Sequence, residues 1–273
     1  MKLPYYQNYS IKNTRQCESV LLTAWAVLRE FKDDFVLVGG LVPRYICKAT
    51  SKDLQAVTID VDFGVSLGMS SGLYETTRNR LKNSGFEWED KRFVKKIGKI
   101  PLYLDFITDK PEPDSSDSVM VDDIPVSAVF GVQRALDVFR EVEIRGKDLY
   151  GADVTEKIKV CEVGPYICLK LQAYANRAQS KDVFDFVTVV KNYDKGVAEA
   201  VRLFRREQKE NLSFEKAIEI LKERFQDEKS KGPLQYADFC LGGLDVTNSD
   251  VEFRKKQLIH EALNVANSLK NNL

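Results

Sequence analysis

Asp60 and Asp62 stand two apart in the run Thr58-Ile59-Asp60-Val61-Asp62. On a strand, side chains two apart share a face, with Cα atoms roughly 6.5 Å apart. Two carboxylates so placed can converge on metal ions, and in two-metal phosphoryl or nucleotidyl transfer the ions sit roughly 3.5 to 4 Å apart. Thr58 lies on the same face; the alternative reading of the pair is a solvated strand edge. Asp105 lies within Leu102-Tyr103-Leu104-Asp105-Phe106-Ile107, a run apolar on both faces that reads as a central strand. A carboxylate there needs a metal or a cation, and a buried ion pair with a lysine is the competing reading. Gly39 and Gly40 close one strand and open a helix, where bare amides can approach a phosphate. They could equally be a simple tight turn.

Further along, Lys170 and Arg177 are seven residues apart on one helix and share a face, so both could address a triphosphate. The alternative is an ordinary surface pair. Asp185 could orient Lys170, accept a proton or hold a nucleotide ring, while Asp182, just after Ser180, fits a helix cap as well as a catalyst. Arg202, Arg205, Arg206 and Lys209 form a helical stripe opposite Val197, Val201 and Phe204 on which an RNA backbone could lie. A solvated helix face explains them too. A second basic cluster, Lys91, Arg92, Lys95, Lys96 and Lys99, falls around a hairpin.

The remaining composition removes competing chemistries. His260 is the only histidine in 273 residues and reads as a surface helix residue, which disfavours Ser-His-Asp, Cys-His and multi-histidine zinc sites. Neither Gly-Lys-Ser/Thr nor G-x-G-x-x-G occurs at the glycine turn, so P-loop and dinucleotide folds are disfavoured. With 41 basic and 41 acidic residues, any polyanion site must be a local patch. Five cysteines without CxxC spacing, a polar start and the lack of a long apolar run point to a cytoplasmic protein without a membrane anchor.

Hydrophobic periodicity supplies the elements that must position these residues. It predicts a helix over 14–31, a strand over Phe35–Val38, a helix over Leu41–Lys48, a strand over Val57–Val65 and a helix over Leu73–Ser84. A hairpin follows, Phe93–Ile97 with Leu102–Thr108, turning near Gly98–Pro101; Lys110–Asp123 reads as a loop. A second hairpin runs through Val138–Ile144 and Val154–Cys161. From Pro165 the pattern is helical, over Tyr166–Ala178, Lys181–Lys191, Val197–Lys209, Ser213–Phe225 and Asp250–Leu269. The fold class expected is α/β (α+β), with a domain boundary near 162.

Val36–Gly40, the Thr58-to-Asp62 run and Asp105 together resemble the nucleotidyltransferase superfamily of DNA polymerase beta. Leu169-Lys170-Leu171-Gln172-Ala173, Arg177, Lys181-Asp182 and Asp185-Phe186 are similar to the signature of the abortive-infection AbiE-type (AbiEii) toxin family, several members of which belong to toxin-antitoxin pairs. The resemblance implies a nucleotidyltransferase domain over 1–161, its mixed sheet flanked by helices, and an α-helical domain over 162–273 that closes one wall of a cleft. It implies Mg²⁺ on Asp60, Asp62 and Asp105, nucleotide binding by Gly39, Gly40, Thr58, Lys170, Arg177 and Asp182, and catalytic roles for Asp60, Asp62, Asp105, Lys170 and Asp185. The expected reaction moves a nucleotide from a nucleoside triphosphate to an acceptor hydroxyl, with RNA, such as a tRNA 3′ end, as acceptor and an antitoxin as partner. Ala56 departs from the family pattern, which has an arginine four residues before the first metal aspartate. A small-molecule acceptor, as in aminoglycoside-type enzymes, and a non-catalytic nucleotide-binding regulator are the rival readings.

Overall fold

Alternation in two neighbouring strands decides which side of the sheet is dry. In β2 (Asp60–Val65) the side chains of Val61, Phe63 and Val65 are buried while Asp60 and Asp62 are half-buried on the other face. In β5 (Ile100–Asp109) Leu102, Leu104, Phe106 and Thr108 are buried, and Tyr103, Asp105 and Ile107 are half-buried opposite them. The computed structural model describes residues 3–48, 58–66, 71–90, 92–97, 100–110, 117–121, 124–242, 244 and 249–271.

Among the described residues these strands sit inside a mixed nine-stranded sheet. Its main path runs β3 (Glu87–Glu89), β4 (Arg92–Ile97), β5, β2, β1 (Phe35–Val38), β9 (Asp153–Cys161) and β8 (Phe139–Lys147). The far end of β5 also pairs with β7 (Ile124–Val129), which carries β6 (Ser118–Val121) on its other side. β2 runs parallel to β5 and antiparallel to β1, so it is an internal strand and the solvated-edge reading of Asp60 and Asp62 is set aside. The dry face packs on α1 (Ile11–Val27) through a cluster of rings, with centroids 5.9 Å apart for Trp25 and Phe63 and 6.1 Å for Phe63 and Phe106. After β2 comes α3 (Ser71–Asn83), and on the face opposite α1 the short α4 (Val132–Asp137) closes over Gly64, where an added Cβ would lie 3.1 Å from Val132 Cγ1. Ile11–Tyr45 and the described residues from Thr58 to Glu162 form one compact unit.

The second unit is Val163 onward, joined by the chain before Ile11 and a short stretch after Tyr45. It contains α5 (Val163–Arg177), α6 (Ser180–Asn192), α7 (Val197–Glu210), α8 (Phe214–Arg224), α9 (Lys231–Leu241) and α10 (Ser249–Lys270). Pro165 falls in the first turn of α5, where its missing N–H costs nothing. The N-terminal segment adds Tyr6 and Tyr9 to the rings of Phe184 and Phe239, at 5.4 and 6.3 Å. Among the described residues no helix is long and apolar enough to cross a membrane.

Several elements differ from the sequence reading. α1 ends at Val27 and the chain tightens into a 3₁₀ helix over Arg29–Asp34, because Phe31 N–H bonds to Leu28 three residues back. The expected helix over 41–48 is a 3₁₀ turn at Gly39–Leu41 followed by the short α2 (Pro43–Ile46). Residues 118–121 of the expected loop form β6, and Ile97 pairs directly with Ile100, so Ile100 and Pro101 belong to β5 rather than to the turn. Val57, Gly98 and Lys99 lie outside the described residues. The elements β3, β7, α4 and α9 carry too little periodicity of their own to be seen; α9 opens on Lys231-Gly232-Pro233, a string that reads as loop.

Candidate metal centre

The register of β2 against β5 sets Asp62 directly beside Asp105, and Asp60 beside Tyr103. Asp60, two residues back on β2, therefore shares the face of the other two. Each of the three offers a carboxylate oxygen within 4.8 Å of the other two, a group that could hold a metal ion. Like charges side by side on neighbouring strands repel, so the arrangement calls for cations.

One cation comes from the sheet itself. β4 runs antiparallel to β5 with Phe93 opposite Leu104, which brings Arg92 opposite Asp105. Arg92 Nε donates to Asp105 Oδ1 at 2.6 Å and Nη2 donates to Oδ2, forming a two-point fork. The same Nη2 lies 3.9 Å from Asp60 Oδ2, and the guanidinium stacks 4.0 Å over the Tyr103 ring. Burial pushes the Asp105 carboxyl above the ordinary aspartate range, with Arg92 pulling the other way. For Arg92, burial opposes the charge, but Asp105, then Asp60 and Asp62, hold its pKa above the usual value. The expected doubly apolar setting of Asp105 is thus corrected: one face of β5 is dry, the other keeps the Asp105 side chain 22% exposed, and its ion pair is with an arginine rather than a lysine. Sequence reading counted Arg92 only as part of a basic cluster. The signal was the hairpin register, since pairing Ile97 with Ile100 brings residue 92 to 105.

The residues around the carboxylates shape them. Thr58 is fully buried and its hydroxyl bonds to Asp60 Oδ1 at 2.5 Å, so it orients that carboxylate. Gly39 has φ of +74°, and a Cβ there would lie 1.9 Å from Asp62 Oδ2, so only glycine leaves room for the carboxylate. Gly40 follows it, buried in the 3₁₀ turn. Ala56, the position of the family arginine, lies outside the described residues.

The second group of candidates forms a buried cluster in the helical unit. Lys170 Nζ bonds to Asp185 Oδ2 at 2.7 Å and lies 3.7 Å from Asp182 Oδ1. Arg177 forks onto Asp182 with two bonds of 2.6 Å. Lys181, quoted in the resemblance but given no role there, reaches both Asp185 oxygens at 2.9 and 2.7 Å; its i,i+4 spacing was the available clue. Lys170, Lys181, Asp182 and Asp185 are all buried, so the surface-pair reading of Lys170 is set aside. Of the roles left open for Asp185, orienting the lysine matches its bonds. α6 is preceded by Gln179 without a side-chain cap, and the Asp182 carboxylate faces Arg177.

Arg202, Arg205, Arg206 and Lys209 are all exposed on α7, with Val201 and Phe204 buried on the opposite side, and Arg202 forks onto Glu199. In the hairpin cluster Lys95 donates to Gly85 O and Lys96 to Glu87 and Glu89, while Lys91 and Lys99 lie outside the described residues. His260 is exposed on α10, as its position suggests. No protein-family model matches the chain, and a search of curated proteins found no significant match.

Proposed function

We propose that this protein is a metal-dependent nucleotidyltransferase that moves a nucleotide from a nucleoside triphosphate to an acceptor hydroxyl, releasing pyrophosphate. The observation that carries the reading is the sheet register that sets Asp62 beside Asp105 with Asp60 on the same face, all three carboxylates within 4.8 Å. The donor set is all oxygen, which suits Mg²⁺, and the glycine that makes room for Asp62 keeps a ligand atom clear of backbone. Bound there, Mg²⁺ would neutralise charge on the phosphoryl oxygens. Asp60 and Asp62 would hold the ion, with Thr58 fixing Asp60. Asp105 would complete the ligand set and, as a carboxyl made more basic by burial, would take the proton of the acceptor hydroxyl. The amides of Gly39 and Gly40 would receive phosphate.

In the helical unit Asp185 locks Lys170 and Asp182 locks Arg177, whose side chain keeps 42% exposure and can meet a polyanion. The favoured acceptor is RNA, such as a tRNA 3′ end, tracked by Arg202, Arg205, Arg206 and Lys209, and the resemblance to the toxin family supports an antitoxin as partner and a place in the cytoplasm. A small hydroxylated acceptor is a second reading, favoured by one observation: Lys95 and Lys96 of β4 are spent on Gly85 O and on Glu87 and Glu89 instead of being presented to a polyanion.

The deciding experiment incubates the protein with Mg²⁺, each labelled triphosphate and total cellular RNA, then follows the label. Label joined to RNA supports the favoured acceptor; label joined only to added small hydroxylated compounds selects the second. Absence of transfer together with absence of Mn²⁺ binding in calorimetry would overturn the metal-dependent reading.

A further inference from the structure

We propose that Arg92 is the resident counter-cation of the Asp60-Asp62-Asp105 cluster and sets its affinity for divalent metal by competing for the same carboxylates. The inference rests on the metal reading above and adds to it a control of that site.

Arg92 is held in place from three directions. The strand register brings it opposite Asp105, the fork engages both Asp105 oxygens, and the Tyr103 ring lies under the guanidinium at 4.0 Å. Its Nη2 also faces Asp60 at 3.9 Å, so the guanidinium spans two of the three carboxylates. An oxygen already accepting a charge-assisted bond from arginine must give up or share that bond to ligate a metal. A positive charge a few ångströms from a divalent ion is also repulsive in a partly buried site. Both effects lower metal affinity. Three carboxylates against one guanidinium leave two negative charges, the complement of a single divalent ion. The same fork holds Asp105 in one orientation, so Arg92 is a positioning residue for Asp105 as well as a rival of the metal.

The two roles have opposite signatures. Removing an ordinary structural bond weakens metal binding and turnover together, whereas removing Arg92 should tighten the one and weaken the other. The probe is Mn²⁺ alone, titrated by calorimetry into the parent protein, Arg92→Gln, Arg92→Lys and Tyr103→Leu, with nucleotide turnover assayed alongside. Arg92→Gln should bind Mn²⁺ on the order of ten-fold more tightly while its turnover falls. Arg92→Lys keeps the charge without the fork and should fall between the parent and Arg92→Gln in affinity. Tyr103→Leu removes the ring that holds the guanidinium and should tighten binding by a smaller factor.

Equal or weaker Mn²⁺ binding by a folded Arg92→Gln, in a parent that does bind Mn²⁺, overturns the inference and leaves the metal site standing. If Arg92→Gln does not fold, Tyr103→Leu decides, and an affinity equal to the parent's overturns the inference. A parent that binds no Mn²⁺ overturns the metal reading itself, and the inference with it.

Discussion

Backbone pairing brings Asp62 and Asp105 together, and the repulsion this creates makes the two carboxylates easy to distinguish from structural ones. Replacing Asp60 or Asp62 by alanine should abolish Mn²⁺ binding in calorimetry and nucleotide transfer, while the metal-free thermal midpoint stays level or rises, since a repelled charge is removed. A large drop in the metal-free midpoint would mark either aspartate as structural. Asp105 makes a pH prediction. Its carboxyl is raised in the folded protein, by burial first, so folding favours the protonated form. That contribution is complete below the unfolded value and is lost as pH rises through the folded one, from about pH 4 upward. Denaturant unfolding of metal-free protein across this range should therefore show a decline for the parent that is shallower in Asp105→Asn; parallel curves would refute the assignment. At this scale Asp60 and Asp62 were legible in the sequence because strand periodicity needs only spacing two, and Asp105 because a charge in an apolar run needs a partner. Arg92 was not, because its role depends on which residue lies across the hairpin.

Helices α5 and α6 are joined by charge inside their interface, and the order of damage within that cluster is set by what each change leaves unpaired. Lys170→Met leaves Asp185 with Lys181 still bonded to both oxygens, so it should cost about 1–3 kcal/mol in denaturant unfolding. Asp185→Asn leaves two buried lysines without their carboxylate and should cost more, about 3–5 kcal/mol. The reverse order, or a Lys170→Met protein as stable as the parent, would mean the cluster is open to solvent and available to ligand. Elements with strong, self-contained periodicity were readable from sequence: β1, the β8–β9 hairpin, α5 to α8 and α10 match to within a few residues. β6 and β7 escaped because each is short and its apolar residues acquire a face only by pairing with the next strand, and α2 is short because Gly39–Leu41 takes a 3₁₀ turn before it and Cys47 after it pairs with Tyr193.

Across the whole molecule the charges cancel, 41 against 41, so attraction to a polyanion has to come from a surface such as the α7 stripe. Changing Arg202, Arg205, Arg206 and Lys209 together to glutamine should leave the buried side of α7 intact and flatten the salt dependence of RNA binding, by roughly 0.7 to 0.9 in slope for each phosphate no longer neutralised. Identical RNA affinities for parent and variant at every salt concentration would remove the stripe from consideration. The mixed α/β class followed from the change of periodicity near Pro165. That the chain before Ile11 packs with the helical unit did not, because Tyr6 and Tyr9 form no periodic pattern and their partners, Phe184 and Phe239, are far along the chain.

The close approach of Gly39 to Asp62 also makes a statement about inheritance. An alanine at 39 collides with the carboxylate at 62, so the two positions mutate as one locus rather than two. In a suppressor screen, the folding defect of Gly39→Ala should be partly relieved by small residues at 62, with the strain of alanine at a φ of +74° remaining, and every such revertant should regain abundance without recovering metal. If revertants arise that keep Asp62 and bind Mn²⁺ as the parent does, the collision is one the backbone can sidestep, and glycine at 39 is there for another reason.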